Sequence, residues 1–109
     1  MGHELYEHDP HSRAVFDQAD EQLGYSLSDI CFNGPEETLT DTIHQQPALL
    51  VTSVAAWRAM QAREWPQPSF MAGHSLGEFS ALVAAGSLTF SDGLALVHKR
   101  ATLMKQAGE

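Results

Sequence analysis

The segment that most constrains the fold is "SFMAGHSLGEFSALVAAG", residues 69–86, because it joins three local signals in one order. The apolar run at its start predicts a buried strand, and Gly-His-Ser-Leu-Gly predicts a tight turn. The small and apolar residues after the turn predict a helix that Gly86 ends. A strand, a serine between two glycines and a helix form the pattern Gly-x-Ser-x-Gly, so the sequence predicts an α/β fold with Ser75 at the turn.

A serine on such a turn can carry nucleophilic chemistry. Its backbone is strained, and side chains two positions before and after it would collide, which predicts a need for Gly73 and Gly77. The turn exposes the Ser75 hydroxyl and directs the backbone N–H of Leu76, at a helix N-terminus, toward a developing oxyanion. The alternative is a glycine-flanked surface turn with a helix-capping serine, since the bare pattern is common by chance.

Most of the remaining chain predicts helices. Residues 12–24, "SRAVFDQADEQLG", have helical apolar spacing and a glycine stop, and residues 26–42 predict short helical turns broken at Asn-Gly-Pro. Residues 45–64 predict the strongest helix, with Pro47 in its first turn, before "WPQP" breaks it.

A last helix is expected after Gly86, capped by Ser91 or Thr89. Only residues 69–73 predict a strand, and one strand cannot form a sheet. The chain is therefore expected to be part of a larger fold.

Composition excludes several classes of function. The net charge is −8, and residues 1–45 hold ten acids and one base, which argues against nucleic-acid binding. No apolar run is long enough to cross a membrane, and the single cysteine fits a reducing, cytoplasmic location. "HELYEHDPH" matches no metal-site spacing, so we expect a polar, mobile terminus there and no bound metal.

The extended string "GHSLGEFSALVAAG" strongly resembles the active-site segment of malonyl-CoA:acyl carrier protein transacylases. "QQPALLVTSVAAWRAM" and "FDQADEQLGYSLSDICFNGPEETLTDT" resemble the regions before it in that family, in the same order. Acyltransferase domains of fatty-acid and polyketide synthases share the active-site string. The resemblance implies that residues 1–109 are an incomplete, mostly helical fragment of the α/β-hydrolase-like, three-layer acyltransferase core, with one central strand leading into the nucleophile elbow.

The resemblance also implies a reaction. Ser75 would take a malonyl group from malonyl-CoA and pass it to the phosphopantetheine thiol of acyl carrier protein, with no cofactor beyond the CoA thioester itself. Leu76 would supply a backbone oxyanion donor. Four residues of the segment, Gly73, His74, Gly77 and Glu78, would support the turn. His74 is not expected to act as the base, because adjacent side chains diverge in such a turn and its ring should not reach the Ser75 hydroxyl.

Arg100, in "LVHKRATLMKQ", matches the family's arginine on the helix after the elbow helix. By resemblance it binds the free malonyl carboxylate, which a planar guanidinium grips through two parallel hydrogen bonds. The alternative from sequence alone is a solvated basic helix end, because His98, Lys99 and Lys105 lie nearby.

Several parts that the family uses are absent from these 109 residues. We find no Gly-Gln-Gly-Ser-Gln loop with the second oxyanion donor, no ferredoxin-like subdomain and no downstream catalytic histidine. The chain by itself is therefore expected to have little activity and to be marginally stable or self-associate. Alternatives left open are a polyketide synthase acyltransferase domain, a serine esterase, or a non-catalytic truncated fragment.

Overall fold

A computed structural model describes residues 2–63 and 76–108, apart from the Glu78 side chain. The predicted strand at 69–73, and with it Gly73, His74 and Ser75, lies outside the described residues. Within them the backbone forms seven helices: α1 (His3–His8), α2 (Pro10–Leu23), α3 (Leu27–Asn33), α4 (Glu36–Thr40), α5 (Thr42–Ala62), α6 (Gly77–Ala84) and α7 (Phe90–Gly108).

Local capping chemistry sets the helix ends. The Asp9 carboxylate accepts the backbone N–H groups of His11 and Ser12 at the start of α2, and Gly24 ends that helix with φ 79°. The Thr89 hydroxyl accepts the Asp92 N–H at 3.1 Å, so Thr89 caps α7. These helices and the break between α3 and α4 confirm the sequence predictions.

Helix α5 is the centre of the described fold and packs against both α2 and α7. The prediction that Pro47 lies in the first turn of this helix is wrong. The helix begins at Thr42, because the Asp41 carboxylate caps it by accepting the Ile43 N–H at 3.2 Å. Pro47 is thus inside the helix and fully buried. The core packs around these three helices through the buried side chains of Phe16, Leu50, Val51, Val54, Leu94 and Val97.

The N-terminal segment forms a helix whose aromatic rings pack on the core, which the expectation of a polar, mobile terminus did not include. Residues 3–8 form α1, and the Tyr6 ring lies 6.0 Å from that of Phe16 and 5.3 Å from that of Phe32 between centroids. The His3 ring stacks on Phe32 at 4.9 Å. The polar composition of this segment gave no sign that the rings of His3 and Tyr6 form one apolar face of α1.

Cys31 is buried in the same core, and burial raises the pKa of its thiol to about 11. The thiol therefore stays protonated at neutral pH and serves as a packed apolar group. Among the described residues, no helix has the length and hydropathy required to span a bilayer, and no cluster of three potential metal ligands occurs.

Candidate active site

Helix α6 begins immediately after the predicted nucleophile. Leu76 is its N-cap residue, is in right-handed helical conformation and is 8% exposed. The backbone N–H of Leu76 therefore lies at the positive end of the helix. A Cβ added to Gly77 would meet no described atom within 4 Å. The described residues therefore do not supply the crowding that the sequence predicted at Gly77.

Helix α7 approaches α6 closely at Gly93, which has no side chain. A Cβ on Gly93 would lie 2.7 Å from Cγ2 of Val83, a contact that real Cβ atoms do not show. Gly93 thus allows the two helices to approach, and the approach brings the middle of α7 beside the first turn of α6. Arg100 lies in that middle section, whereas Lys105 is the basic residue of the last turn.

The Arg100 side chain turns inward. Its Nη1 donates a 2.6 Å hydrogen bond to Oε1 of Gln46 on α5, and its guanidinium carbon lies 5.9 Å from the ring centroid of Phe79 on α6. Arg100 is half-buried, while its neighbour Lys99 is exposed. A simple solvated helix end, the alternative from sequence, therefore does not describe this arginine.

An apolar groove of about 390 Å³ runs beside this guanidinium. Leu96, Leu103 and Met104 on α7 are about half exposed there, at 48%, 54% and 49%. A cation at the edge of an apolar surface is suited to a ligand with one acidic end and one apolar body, because neighbouring low-dielectric walls strengthen the ion pair. The groove is lined by Phe79, Leu96, Lys99, Arg100, Leu103 and Met104.

Sequence reasoning missed two residues of this site. The helical pattern of residues 45–64 does not single out Gln46, although a polar side chain next to the apolar "PALLV" run is a usable signal of a buried partner. Phe79 lies three residues after Leu76, on the next turn of the helix. Only the packing of α6 against α7 shows that its ring faces Arg100.

A second charged contact joins α7 to α5. Lys105 Nζ lies 2.8 Å from Oδ2 of Asp41. The pKa of the Asp41 carboxyl is lowered, first by the hydrogen bond from Lys105 and then by that from the Ile43 N–H. This pair joins the last turn of α7 to the first turn of α5, about one turn along each helix from the Arg100–Gln46 contact.

The sequence profile of the acyl transferase domain family matches residues 1–108 of the chain. The malonyl CoA-acyl carrier protein transacylase of Bacillus subtilis (strain 168) is 50% identical over 107 residues, which cover 98% of this chain and 33% of the relative. The chain thus spans about a third of the length of the curated transacylases it matches.

Solved structures give the same correspondence in three dimensions. The crystal structure of an acyl carrier protein S-malonyltransferase from Vibrio cholerae is 47% identical and superposes with a TM-score of 0.90, covering 94% of this chain and 34% of that one. The described helices therefore have the arrangement found in one third of a malonyltransferase.

A protein of polyketide biosynthesis is also similar. The polyketide biosynthesis protein ThaF of Burkholderia thailandensis is 47% identical over 89 residues, which cover 82% of this chain and 8% of that protein.

Proposed function

The chain belongs to the acyl transferase domain family, and from that premise we propose that it forms the nucleophile-bearing part of a malonyl-CoA:acyl carrier protein transacylase of fatty-acid synthesis. The observation that carries the proposal is the Arg100 guanidinium, which turns away from solvent and lies over Phe79, one turn into the helix that follows Ser75. An arginine there is suited to bind the free carboxylate of a malonyl group while the thioester end points toward the serine.

The proposed reaction has two covalent steps. Oγ of Ser75 attacks the thioester carbonyl of malonyl-CoA, a C–O bond forms, the C–S bond breaks, and CoA leaves as its thiol after taking up the serine proton. The phosphopantetheine thiol of acyl carrier protein then attacks the malonyl-serine ester, and the serine recovers its proton. The N–H of Leu76 stabilises the oxyanion in both steps.

We further propose that Ser75 ends a central strand of an α/β-hydrolase-like, three-layer core, with Gly73, His74, Gly77 and Glu78 holding the turn. The base and the second oxyanion donor lie in other parts of the full domain. These 109 residues, which span about a third of the transacylase length, should therefore transfer malonyl slowly or not at all by themselves. Because the substrates are CoA and carrier thioesters, we place the reaction in the cytoplasm.

A hybrid enzyme tests this proposal. The matched third of the Bacillus subtilis transacylase is replaced by this chain, and malonyl transfer from malonyl-CoA to acyl carrier protein is measured. Ser75→Ala should abolish malonyl transfer. It should also abolish the malonyl-serine ester, which mass spectrometry of the parent hybrid detects as a mass increase of one malonyl group. Ser87→Ala, in the exposed turn after α6, is the matched control and should remain active. A Ser75→Ala hybrid that still transfers malonyl at the parent rate would refute the role of Ser75.

The role of Arg100 needs a separate comparison. Arg100→Ala should lower kcat/KM for malonyl-CoA by about a hundredfold or more, since two charge-assisted hydrogen bonds are lost. The acetyl-CoA rate should not fall. Arg58→Ala, which removes an exposed arginine from α5, is the control and should change neither rate. Equal losses for both acyl groups would contradict recognition of the carboxylate.

A polyketide synthase acyltransferase is a second candidate, favoured by the similarity to the Burkholderia thailandensis polyketide protein. The elbow chemistry would be the same and only the carrier would differ. Assays of the hybrid's transfer to fatty-acid and polyketide carrier proteins distinguish the two. A serine esterase is disfavoured by Arg100, because a neutral ester offers no carboxylate to pair with a half-buried guanidinium.

A further inference from the structure

A second cavity lies between α2 and α5 and shares no described lining residue with the groove beside Arg100. Its volume is about 360 Å³, which is in the range of pockets that hold small molecules. Positions 11, 14, 15 and 18 of α2 and positions 58, 61 and 62 of α5 have the spacing of one helical face, so each helix forms one wall. The cavity is lined by His11, Ala14, Val15, Gln18, Arg58, Gln61 and Ala62.

The packing of small residues forms this cavity. The Ser12 hydroxyl donates to the Ala55 carbonyl at 2.8 Å, and both residues are fully buried, so α2 and α5 are in direct contact beside the cavity. Toward the surface, Ala14 and Ala62 carry only methyl groups, and the space beyond them stays open. Val15, which is 3% exposed, completes an apolar floor.

The polar part of the lining consists of groups that can donate hydrogen bonds. Of the described residues that line the cavity none is acidic, although the chain holds 14 acids against six lysines and arginines. Two acids of α2 face elsewhere, since Asp17 accepts from the Tyr6 hydroxyl and Asp20 accepts from the Ser28 N–H. One arginine, one histidine and two amides therefore give the cavity a positive potential in a protein of net charge −8.

Among the described lining residues, Arg58 alone is permanently charged. Within residues 2–63 and 76–108 its guanidinium forms no ion pair and no hydrogen bond. Arg63, at the end of α5, lies instead 3.6 Å from the Asp9 carboxylate. Asp9 also accepts the N–H groups of His11 and Ser12, so the acid nearest to the cavity in sequence is already compensated.

We propose that this cavity binds a small monocarboxylic acid with an apolar body. The planar guanidinium of Arg58 can grip one carboxylate through two parallel hydrogen bonds, and one negative charge balances its single positive charge. The amides of Gln18 and Gln61 belong to opposite walls, where they can donate to the remaining lone pairs of the carboxylate. The body of the ligand lies on the methyl groups of the floor. The site uses neither Ser75 nor Arg100, so it does not depend on the proposed malonyl transfer.

Titration calorimetry of the hybrid enzyme with benzoate tests this site, because α2 and α5 of the hybrid both come from this chain. Benzoate should bind about tenfold more tightly than benzamide, which has the same shape without the charge, and about fivefold more tightly than acetate, which lacks the apolar body. Arg58→Met should weaken benzoate binding about tenfold or more, since charge-assisted hydrogen bonds are lost. Lys99→Met removes an exposed cation from α7 and is the matched control, which should bind benzoate like the parent.

A second pair of variants leaves the buried packing untouched, because both side chains are exposed. Gln18→Glu places an acid in the cavity and should weaken benzoate binding about threefold or more through like-charge repulsion. Gln45→Glu makes the same change of charge at a glutamine of α5 outside the cavity and should have no effect. Methyl NMR of Val15 should shift during the titration, which locates the ligand.

Four results would overturn the proposal. The first is a parent hybrid that does not bind benzoate at millimolar concentration. Equal losses in Arg58→Met and Lys99→Met, or in the two glutamine variants, would show attraction by net charge only. Benzoate binding that persists in Arg58→Met and disappears in Arg100→Ala would place the ligand in the groove of α6 and α7. Tighter binding of inorganic phosphate than of benzoate would contradict recognition of a carboxylate. Loss of malonyl transfer in Arg100→Ala bears only on the proposed function.

Discussion

Helices α2 and α7 both pack on α5, yet they use their apolar residues differently. Helix α2 buries Val15, Phe16 and Ala19, and the Ser12 hydroxyl donates to the Ala55 carbonyl of α5 at 2.8 Å. Helix α7 buries Leu94 and Val97 and leaves three large apolar side chains about half exposed beside a half-buried cation. The comparison indicates that both helices are packed on α5, and that only α7 also carries an apolar surface that is open to contacts beyond the described residues.

The largest expected effect is on folding. Phe16→Ala should lower the free energy of unfolding by about 3–5 kcal/mol, because a fully buried ring leaves a cavity among α1, α2 and α5. Leu103→Ala should change it by less than about 0.5 kcal/mol, since more than half of Leu103 is already in solvent. Urea unfolding followed by circular dichroism measures both. Similar losses from the two variants would break the contrast between the helices.

The next effect concerns association. The isolated chain should self-associate through the apolar groove of α6 and α7, because such a surface is unfavourable in water. Leu96→Lys with Leu103→Lys should shift the sedimentation coefficient toward the monomer. Gln18→Lys adds the same kind of charge to the exposed side of α2 and should leave association unchanged. A parent chain that is already monomeric at high concentration would contradict the idea.

The smallest effect is electrostatic and lies between α5 and α7. The pKa of the Asp41 carboxyl is lowered in the folded state. The ionised carboxylate therefore stabilises the fold above the ordinary carboxyl pKa of about 3.9, and this contribution is lost as pH falls through the lower folded-state pKa. Lys105→Met should raise the pKa of Asp41 and reduce the loss of stability in acid that this carboxyl causes. Side-chain carbon NMR of Asp41 measures it, with Lys99→Met as control. An unchanged Asp41 pKa in Lys105→Met would show that the hydrogen bond from the Ile43 N–H, and not the lysine, holds the carboxyl ionised.

Much of the helical layout could be predicted because its causes are local. Gly24 stops α2 and the Asn33-Gly34-Pro35 break separates α3 from α4, as expected from their backbone preferences. The start of α5 was predicted wrongly from Pro47. The stronger start signal is the Asp41 carboxylate, six residues before that proline. Apolar spacing also failed to separate Leu94, which is buried, from Leu96, which is half exposed.

The site was only partly predictable. The Arg100 position followed from resemblance, and its role stays a proposal, as do the roles of Ser75, Leu76 and the residues of the turn. Nothing in the local sequence predicted Gln46 as the partner of Arg100, because the two residues are 54 positions apart. The sequence likewise predicts a helix at Phe79 without indicating that its ring faces Arg100.

The amino-acid sequence by itself determined the helix ends and the family, because caps, glycine stops and the Gly-His-Ser-Leu-Gly-Glu string are properties of neighbouring residues. The tertiary structure decided which side chains meet and which remain open. Periodicity gives each helix an apolar face, but only the packing of α6 and α7 on α5 determines that the half-buried Arg100 lies between Gln46 and Phe79.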